Sequence, residues 1–487
     1  MDNWLHNGFK VGPDYYEPAA SIANEWIDFN DPRIIGEANG VEEAAWWRNF
    51  NDPVMDELVL TAYQQNLPLR VAGLRVLEAE AQRAITAGEL FPQYQEAFGD
   101  FQQTQRSPTG FSMGLPASVR SLGIWSAGFR ASWELDVWGR FRRGIESADA
   151  NLDASIENYD DVLVTLIADT AATYVEVRAF QQRLRHVRAN VVMQEKSLQL
   201  AEDRHKNGIV TKLDVTQAQS SLHQTKALVP VLERGLRVAN NRLCVLLGIP
   251  PRDLSEELGN AGEETIPDPP AQVVVGIPAD LIRRRPDVRR AEREVASQSA
   301  LIGVAASELF PTFTINGSIN WQATDFGDLV TPATNAGVIS PGFNWNILNY
   351  GRIVNNVAVQ DARFQQLAVS YLQTVLNANR ETEDAIVDFL RSRERAEELK
   401  KAVIAATESV SLAQLHYGQG WIDFDRVNNL QRDLVLQQDE SVAAQADVAL
   451  GLIRVYRALG GGWQLRCQPM IEMVEESTED GLREEPE

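Results

Sequence analysis

Two proline-free helical runs of matching length limit what this chain can fold into. The first extends from Gly139 to Gly208, and the second from Gly351 to Gly420. In the first, apolar residues return every three or four positions: Phe141, Ile145, Ala148, Leu152, Ile156, Tyr159, Leu163, Leu166, then Val177, Phe180, Leu184, Val187 and Val191. That spacing is the seam of a helix packed along its length against other helices. At ~1.5 Å per residue each run extends ~100 Å, far beyond an ordinary globular helix. The two starting glycines are separated by 212 positions, and so are the two closing glycines, so the chain is a tandem repeat of one long-helix unit.

Shorter elements repeat as well. Asp52-Pro53 is a helix start, a side-chain cap followed by proline at the first helical position, and predicts a helix to about Asn66. A second helix is expected from Pro68 to about Glu89. Glu89-Leu90-Phe91-Pro92 recurs as Glu308-Leu309-Phe310-Pro311, and Pro286–Leu309 is its helical counterpart. After each long run a helix of ~40 residues returns, to Gly248 and to Gly460. The expected organisation is an extended segment 1–51, a first repeat 52–248, a mid-body connection 249–277 rich in Pro, Gly and Glu, a second repeat 278–463 and an acidic disordered tail 464–487. The tail holds part of the net charge of −23, a balance that excludes a nucleic-acid partner, because phosphate recognition needs a basic face.

Between the marker motif and each long helix the apolar period changes to two. Trp125, Ala127, Phe129, Ala131, Trp133 and Leu135 alternate with Ser126, Gly128, Arg130, Ser132, Glu134 and Asp136. In the second copy Phe313, Ile315, Ile319 and Trp321 alternate with polar residues, as do Ile339, Phe343, Trp345 and Ile347. Each copy is expected to carry a hairpin, about 93–136 and 312–348, with loops near Ser107–Leu122 and Ala323–Ala336. The strand near Gln93–Gln103 alternates poorly and rests on the repeat alone. A half-buried soluble sheet would alternate too. However, aromatics near the strand ends, a strand length of about ten residues and a polar face almost without hydrophobics fit a tilted bilayer crossing with a watery interior. Trp125, Phe129, Trp133, Phe313, Ile315, Trp321, Phe343 and Trp345 are therefore the expected lipid face. Four strands cannot close a barrel, and open edges in hydrocarbon cost several kcal/mol per unpaired group, so the chain must oligomerise. Two copies would give eight strands and a barrel filled by side chains; three would give a 12-stranded barrel wide enough for a channel. The expected fold is mainly α with a transmembrane β-barrel portion continued by an α-helical barrel, and the trimeric form of it is what the resemblance described below implies.

No enzyme, cofactor or metal site is expected: the five histidines lack ligand spacing, and no phosphate loop or nucleophile elbow occurs. No run of ~18 apolar residues suggests a transmembrane helix. The start Met1–Lys10 is too polar for a signal peptide, so any leader would lie outside this sequence.

Several motifs, in order on this duplicated frame, carry a resemblance: Val11-Gly12-Pro13-Asp14-Tyr15 with Pro18, Trp46-Trp47 with Phe50 and Asp52-Pro53, Ile277-Pro278-Ala279-Asp280-Leu281 with Arg284-Arg285-Pro286-Asp287, and Ala458-Leu459-Gly460-Gly461-Gly462-Trp463. Over about residues 11–465 the chain resembles the TolC/OprM-type outer-membrane factors of tripartite efflux systems, in the branch serving resistance–nodulation–division pumps. The resemblance implies a homotrimer in the outer membrane, a periplasmic adaptor gripping the helix-tip turns around Arg204, Gly208 and Gly420, and an inner-membrane pump. It also implies a closed periplasmic gate in which Asp214 bonds Tyr417. The family's arginine position is taken by Ile422 and a family aspartate position by Arg426, so the lock is expected to be rewired, with Asp214 pairing Arg426 and with Asp423 and Asp425 adding negative charge at the mouth. Relatives resembling this branch often carry a lipidated cysteine before the Val-Gly-Pro-Asp-Tyr motif. Here Phe9-Lys10 precede it, and the strands are expected to hold the membrane without an acyl anchor. A helical envelope scaffold and a solute porin are the alternatives: the first leaves the alternating strands unexplained, and the second has no need of helices this long.

Overall fold

The computed structural model describes residues 9–23, 25–35, 44–105, 121–258, 265–270, 273–275 and 284–467. The Ile277–Leu281 motif, most of the first hairpin loop and residues 468–487 of the expected tail lie outside them. In chain order the main elements are β1 (Ile34–Ile35), α1 (Pro53–Gln65), α2 (Leu67–Gly88), β2 (Tyr94–Gln105), β3 (Ser121–Leu135), α3 (Arg140–Lys206), α4 (Lys212–Leu246), β4 (Val273–Val274), α5 (Pro286–Ser307), β5 (Thr312–Ala323), β6 (Asn335–Asn344), α6 (Arg352–Gln419) and α7 (Phe424–Ala458). The two long helices run unbroken for 67 and 68 residues. Asp52 caps α1 as its sequence demands, its carboxylate accepting from the Val54 and Met55 amides, with Pro53 in the first turn.

The chain packs as two compact units, and neither is a repeat. One comprises residues 1–19, 75–155 and 290–371, and the other residues 20–74, 156–289 and 372–487. Each therefore draws on both copies.

In the first unit a four-stranded antiparallel sheet has the order β2-β3-β5-β6. Its register pairs odd positions with odd throughout: Phe101 with Trp125, Ala127 with Trp321, Trp133 with Ile315 and Phe313 with Phe343. One face therefore collects the odd residues of all four strands. β6 ends at Asn344, so Trp345 and Ile347, read from sequence as strand residues, lie just beyond it. The extended N-terminal segment packs against α3 and α5 in this unit. Gly12 has φ +94, and a Cβ there would lie 2.4 Å from the Gly303 Cα, a contact only glycine permits. The buried Arg143 guanidinium donates to the Val11 and Gly12 carbonyls and pairs with Asp14 at 3.1 Å. The Val-Gly-Pro-Asp motif is thus a docking strap for a helix.

In the second unit Trp46, Trp47, Phe50, Met55, Leu163, Ile167, Tyr174, Leu243, Leu452 and Tyr456 form the main core. Trp46 stacks on Tyr456 at 5.2 Å, and the Tyr174 hydroxyl donates to Asp52 at 2.8 Å. Full burial of each large apolar side chain contributes about 1.5–3 kcal/mol. β1 pairs in parallel with β4, a tie between the first fifty residues and the mid-body connection that the sequence reading lacked. Residues 464–467, read from sequence as the start of the tail, form a 3-10 turn with Trp463 instead. Arg466 explains why: it grips the fully buried Asp160 through two hydrogen bonds of 2.7 and 3.0 Å, with Arg289 at 3.6 Å. Burial pushes the Asp160 carboxyl up, and Arg466 pulls it back.

Arg466→Gln strands that carboxylate and should cost roughly 3 kcal/mol, the low end for a broken buried pair because Arg289 stays. Adding Asp160→Asn should recover most of the loss in thermal unfolding. Equal losses in the single and double variants would show that the charge is not what Arg466 serves.

Candidate functional site

Two sites follow from the expectations, the sheet face and the helix-tip turns. On the odd face Phe129 is 60% exposed, Ile319 52%, Phe343 70% and Ile339 80%. A soluble sheet does not leave such a face open. The aromatics cluster at its two ends. Near the loops Trp125 lies 4.4 Å from Phe101 and 5.0 Å from Phe326, with Trp321 on the adjacent strand. At the helix end Phe313 meets Phe343 at 6.2 Å, and Trp133 and Trp345 donate their indole N–H groups to the Leu90 and Leu309 carbonyls at 3.2 and 3.0 Å. Ile315 lies between Trp133 and Pro341. The other face is polar, with Ser132 donating to Asn316 at 2.7 Å. On that face Arg130 pairs with Glu96 and lies over Phe98 and Tyr94, at 5.1 and 5.8 Å from the ring centres. These two rings on the polar side are why β2 alternates poorly in the sequence.

At the tips α3 turns into α4 and α6 into α7. Gly208 and Gly420 have φ +71 and +81, and each turn carries the same pair of backbone bonds: Ile209 N–H to the Arg204 carbonyl with Gly208 N–H to His205, and Trp421 N–H to His416 with Gly420 N–H to Tyr417. These are glycine-dependent helix ends, as the sequence predicts. The two turns share an apolar plug of Ala201, Ala218, Ala413, Tyr417, Phe424 and Val427. Tyr417 is 3% exposed and meets Phe424 edge-on at 5.5 Å.

The polar partners differ from the expected lock. The Asp214 carboxylate accepts from the Thr211 amide and hydroxyl at 3.0 and 3.2 Å, closing a capping box on α4. Tyr417 instead faces Arg204, whose guanidinium lies 4.5 Å from the ring centre and donates to the Gly418 carbonyl at 2.8 Å. Among the described residues of one chain neither the Asp214–Tyr417 bond nor the Asp214–Arg426 pair is made. The reason is local: a carboxylate three residues past a free amide binds it without ordering any distant side chain. Burial pushes the Tyr417 phenol up, Arg204 opposes this as a cation, and Asp214 acts on it through space. Asp425 accepts from Asn429 at 3.1 Å, Asp423 occupies the position before α7 without capping it, and Arg426 is exposed. The role of Arg204 as partner of Tyr417 was missed from sequence. The signal was its place in the last turn of α3, where a cation suits the helix end, 212 positions before His416.

A four-stranded sheet with one exposed aromatic face and two helical hairpins of this length are the elements of a TolC-like outer-membrane channel. The chain belongs to the outer membrane efflux protein family, whose profile matches residues 58–249 and 277–461. It is 30% identical over 467 residues to Nodulation protein T of Rhizobium leguminosarum bv. trifolii, covering 94% of this chain and 96% of that one. It is 29% identical over 434 residues to the pyoverdine export outer membrane protein OpmQ of Pseudomonas aeruginosa, covering 88% and 90%. The solved outer-membrane channel OprN superposes with a TM-score of 0.86 at 30% identity, over 93% of this chain and 99% of that one. The chain is thus the outer-membrane component of an efflux pump, a transport protein of a non-enzymatic family.

Asp214→Ala should remove the capping box, costing about 1 kcal/mol locally. Hydrogen exchange at residues 211–215 should accelerate, while Arg204 stays over Tyr417. Unchanged exchange would mean that the carboxylate is not the cap.

Proposed function

We propose that three copies of this chain join edge to edge, β6 of one against β2 of the next, and close a twelve-stranded barrel that conducts efflux substrates passively out of the cell. The observation that carries this reading is the open sheet: four strands, two unpaired outer edges among the described residues and one exposed apolar face. Closure pairs every edge group, which hydrocarbon demands. The odd face, with Trp125, Phe129, Trp133, Phe313, Ile315, Trp321, Phe343 and Trp345, meets lipid, and the even face lines water. The helices form the periplasmic part of the duct, and a periplasmic adaptor and an inner-membrane pump complete the machine. The adaptor grips the turns at Arg204, Gly208 and Gly420, where Ile209, Leu213 and Trp421 are 65%, 64% and 70% exposed and offer apolar footing.

The same turns form the gate. Arg204 holds the α6–α7 turn shut through Tyr417 and Gly418, with Asp214 fixing the start of α4 beside them. Asp423, Asp425 and Arg426 are the exposed charges at the mouth, and threefold repetition turns each into a ring, with the acids favouring cations.

Native mass spectrometry in mild detergent should find a trimer, and a monomer would sink the barrel. Within it, Phe129→Arg should cost ~2–4 kcal/mol near the bilayer midplane and empty the outer-membrane fraction, whereas Ser132→Arg should assemble. Equal damage from both would reject the assignment of faces.

The gate is tested separately in planar bilayers. Arg204→Gln and Tyr417→Phe should both raise conductance, the first more, and the double variant should gain less than the sum. Wild-type conductance in all three would place the closure elsewhere.

A further inference from the structure

The two copies of the repeat differ where strand gives way to long helix. In the first copy Arg140 opens α3, and its guanidinium is neutralised by Glu134 at 3.2 and 3.4 Å. The matching positions, 212 residues on, are Arg352 and Asn346. The arginine has been kept and its carboxylate replaced by an amide. Among the described residues Arg352 has no acidic partner in ion-pair reach, and its Nε meets only the Asn349 carbonyl at 3.4 Å.

Arg352 is not simply a surface cation. Together with Arg140, Asn344, Asn346, Asn356 and Glu308 it lines a recess of about 480 Å³ within the sheet-bearing unit. The recess includes Thr312 and Asn344, paired even-numbered residues on the polar face of the sheet. It thus combines one uncompensated guanidinium, one paired guanidinium and three side-chain amides that can donate. A guanidinium beside neutral N–H donors is suited to oxygen atoms that carry negative charge. Glu308 on the wall keeps the attraction weak, which a conducting path needs, since a bound solute must also leave.

We propose that this recess is an oxyanion-binding site, taking phosphate or carboxylate groups of solutes in the channel, with Arg352 as the charge that holds them. The proposal rests on the channel reading, which turns the even face toward water. Three copies would set three such sites at the helix end of the barrel strands.

Reversal potentials across planar bilayers in a potassium chloride gradient test it. Arg352→Gln and Asn346→Glu should each shift selectivity toward cations, the second by restoring the carboxylate of the first copy. Glu134→Gln should shift it toward anions by releasing Arg140. Every shift should shrink as screening shortens from about 10 Å at 0.1 M salt to about 3 Å at 1 M. Potassium phosphate should reduce wild-type current and leave the Arg352→Gln current unaffected. Channels of wild-type conductance with unmoved reversal potentials and equal phosphate sensitivity would overturn the site. Should the trimer pass no current even when Arg204→Gln and Tyr417→Phe are introduced to open the tip, the channel reading fails instead. Calorimetric titration of the detergent-solubilised protein with potassium phosphate then decides the site by itself: heat lost in Arg352→Gln supports it, and no heat in the wild type refutes it.

Discussion

The constraint on which the rest of this structure depends is an unpaired backbone edge. Among the described residues β2 and β6 each leave one row of N–H and C=O groups without a strand partner. In water such an edge invites aggregation, and in lipid it is prohibitive. The odd-to-odd register makes the problem sharper, because it gathers Phe129, Ile319, Ile339 and Phe343 on one face that water does not tolerate. Covering that face with lipid and pairing the edges with other copies are one solution to two penalties. In the proposed trimer the long helices would have to follow the symmetry that the strands impose.

Within the second unit, specificity is carried by polar contacts between helices of different hairpins. Along α3 and α7 lie Gln182 with Gln445, Arg183 with Asp439, Asn190 with Gln438, and Ser197 with Gln431. The Arg183–Asp439 pair is bidentate at 2.6 and 2.9 Å. An apolar seam alone permits two helices to slide by a turn at little cost. A ladder of paired amides and charges does not, because a shifted register would strand buried groups at about 1–3 kcal/mol each. Close approach supplies the remaining precision: a Cβ on Gly235 would meet the Phe180 ring at 2.4 Å, and one on Gly451 the Phe389 backbone at 3.1 Å.

The sequence made some of this legible because it states each local rule twice. The constant offset of 212 identified both long helices, both closing glycines and the return helices to within a few residues, since helix periodicity and left-handed glycine turns are local properties. The alternation that gathers the odd residues of the strands on one face was readable for the same reason. What escaped depends on tertiary partners. Asp214 is the exception: the Thr211-x-x-Asp214 spacing is that of a capping box, and the local amide wins over a tyrosine two hundred residues away. The β1–β4 pair is only two residues long, too short for any pattern. The ladder between α3 and α7 consists of residues that read singly as solvated. Gln464-Leu465-Arg466-Cys467 read as the start of a tail because its order comes from Asp160, three hundred positions earlier.

The register of the sheet also has a consequence for how this protein is made. β3 joins β5, with Trp125 opposite Ala323 and Leu135 opposite Phe313, so the central ladder of the sheet links strands from different copies. No such ladder can form while the second half of the chain is still being synthesised. The first hairpin must wait through both passages of α3 and α4, exposing its aromatic face, before its partner exists. Closing so large a loop carries an entropic penalty, and long-range strand pairing is slow for that reason. An isolated hairpin with a free edge is the species most prone to wrong association during that wait. The duplication that doubles the helices economically therefore imposes a delay, and a cell producing this chain must shield the early hairpin until its sister strands arrive.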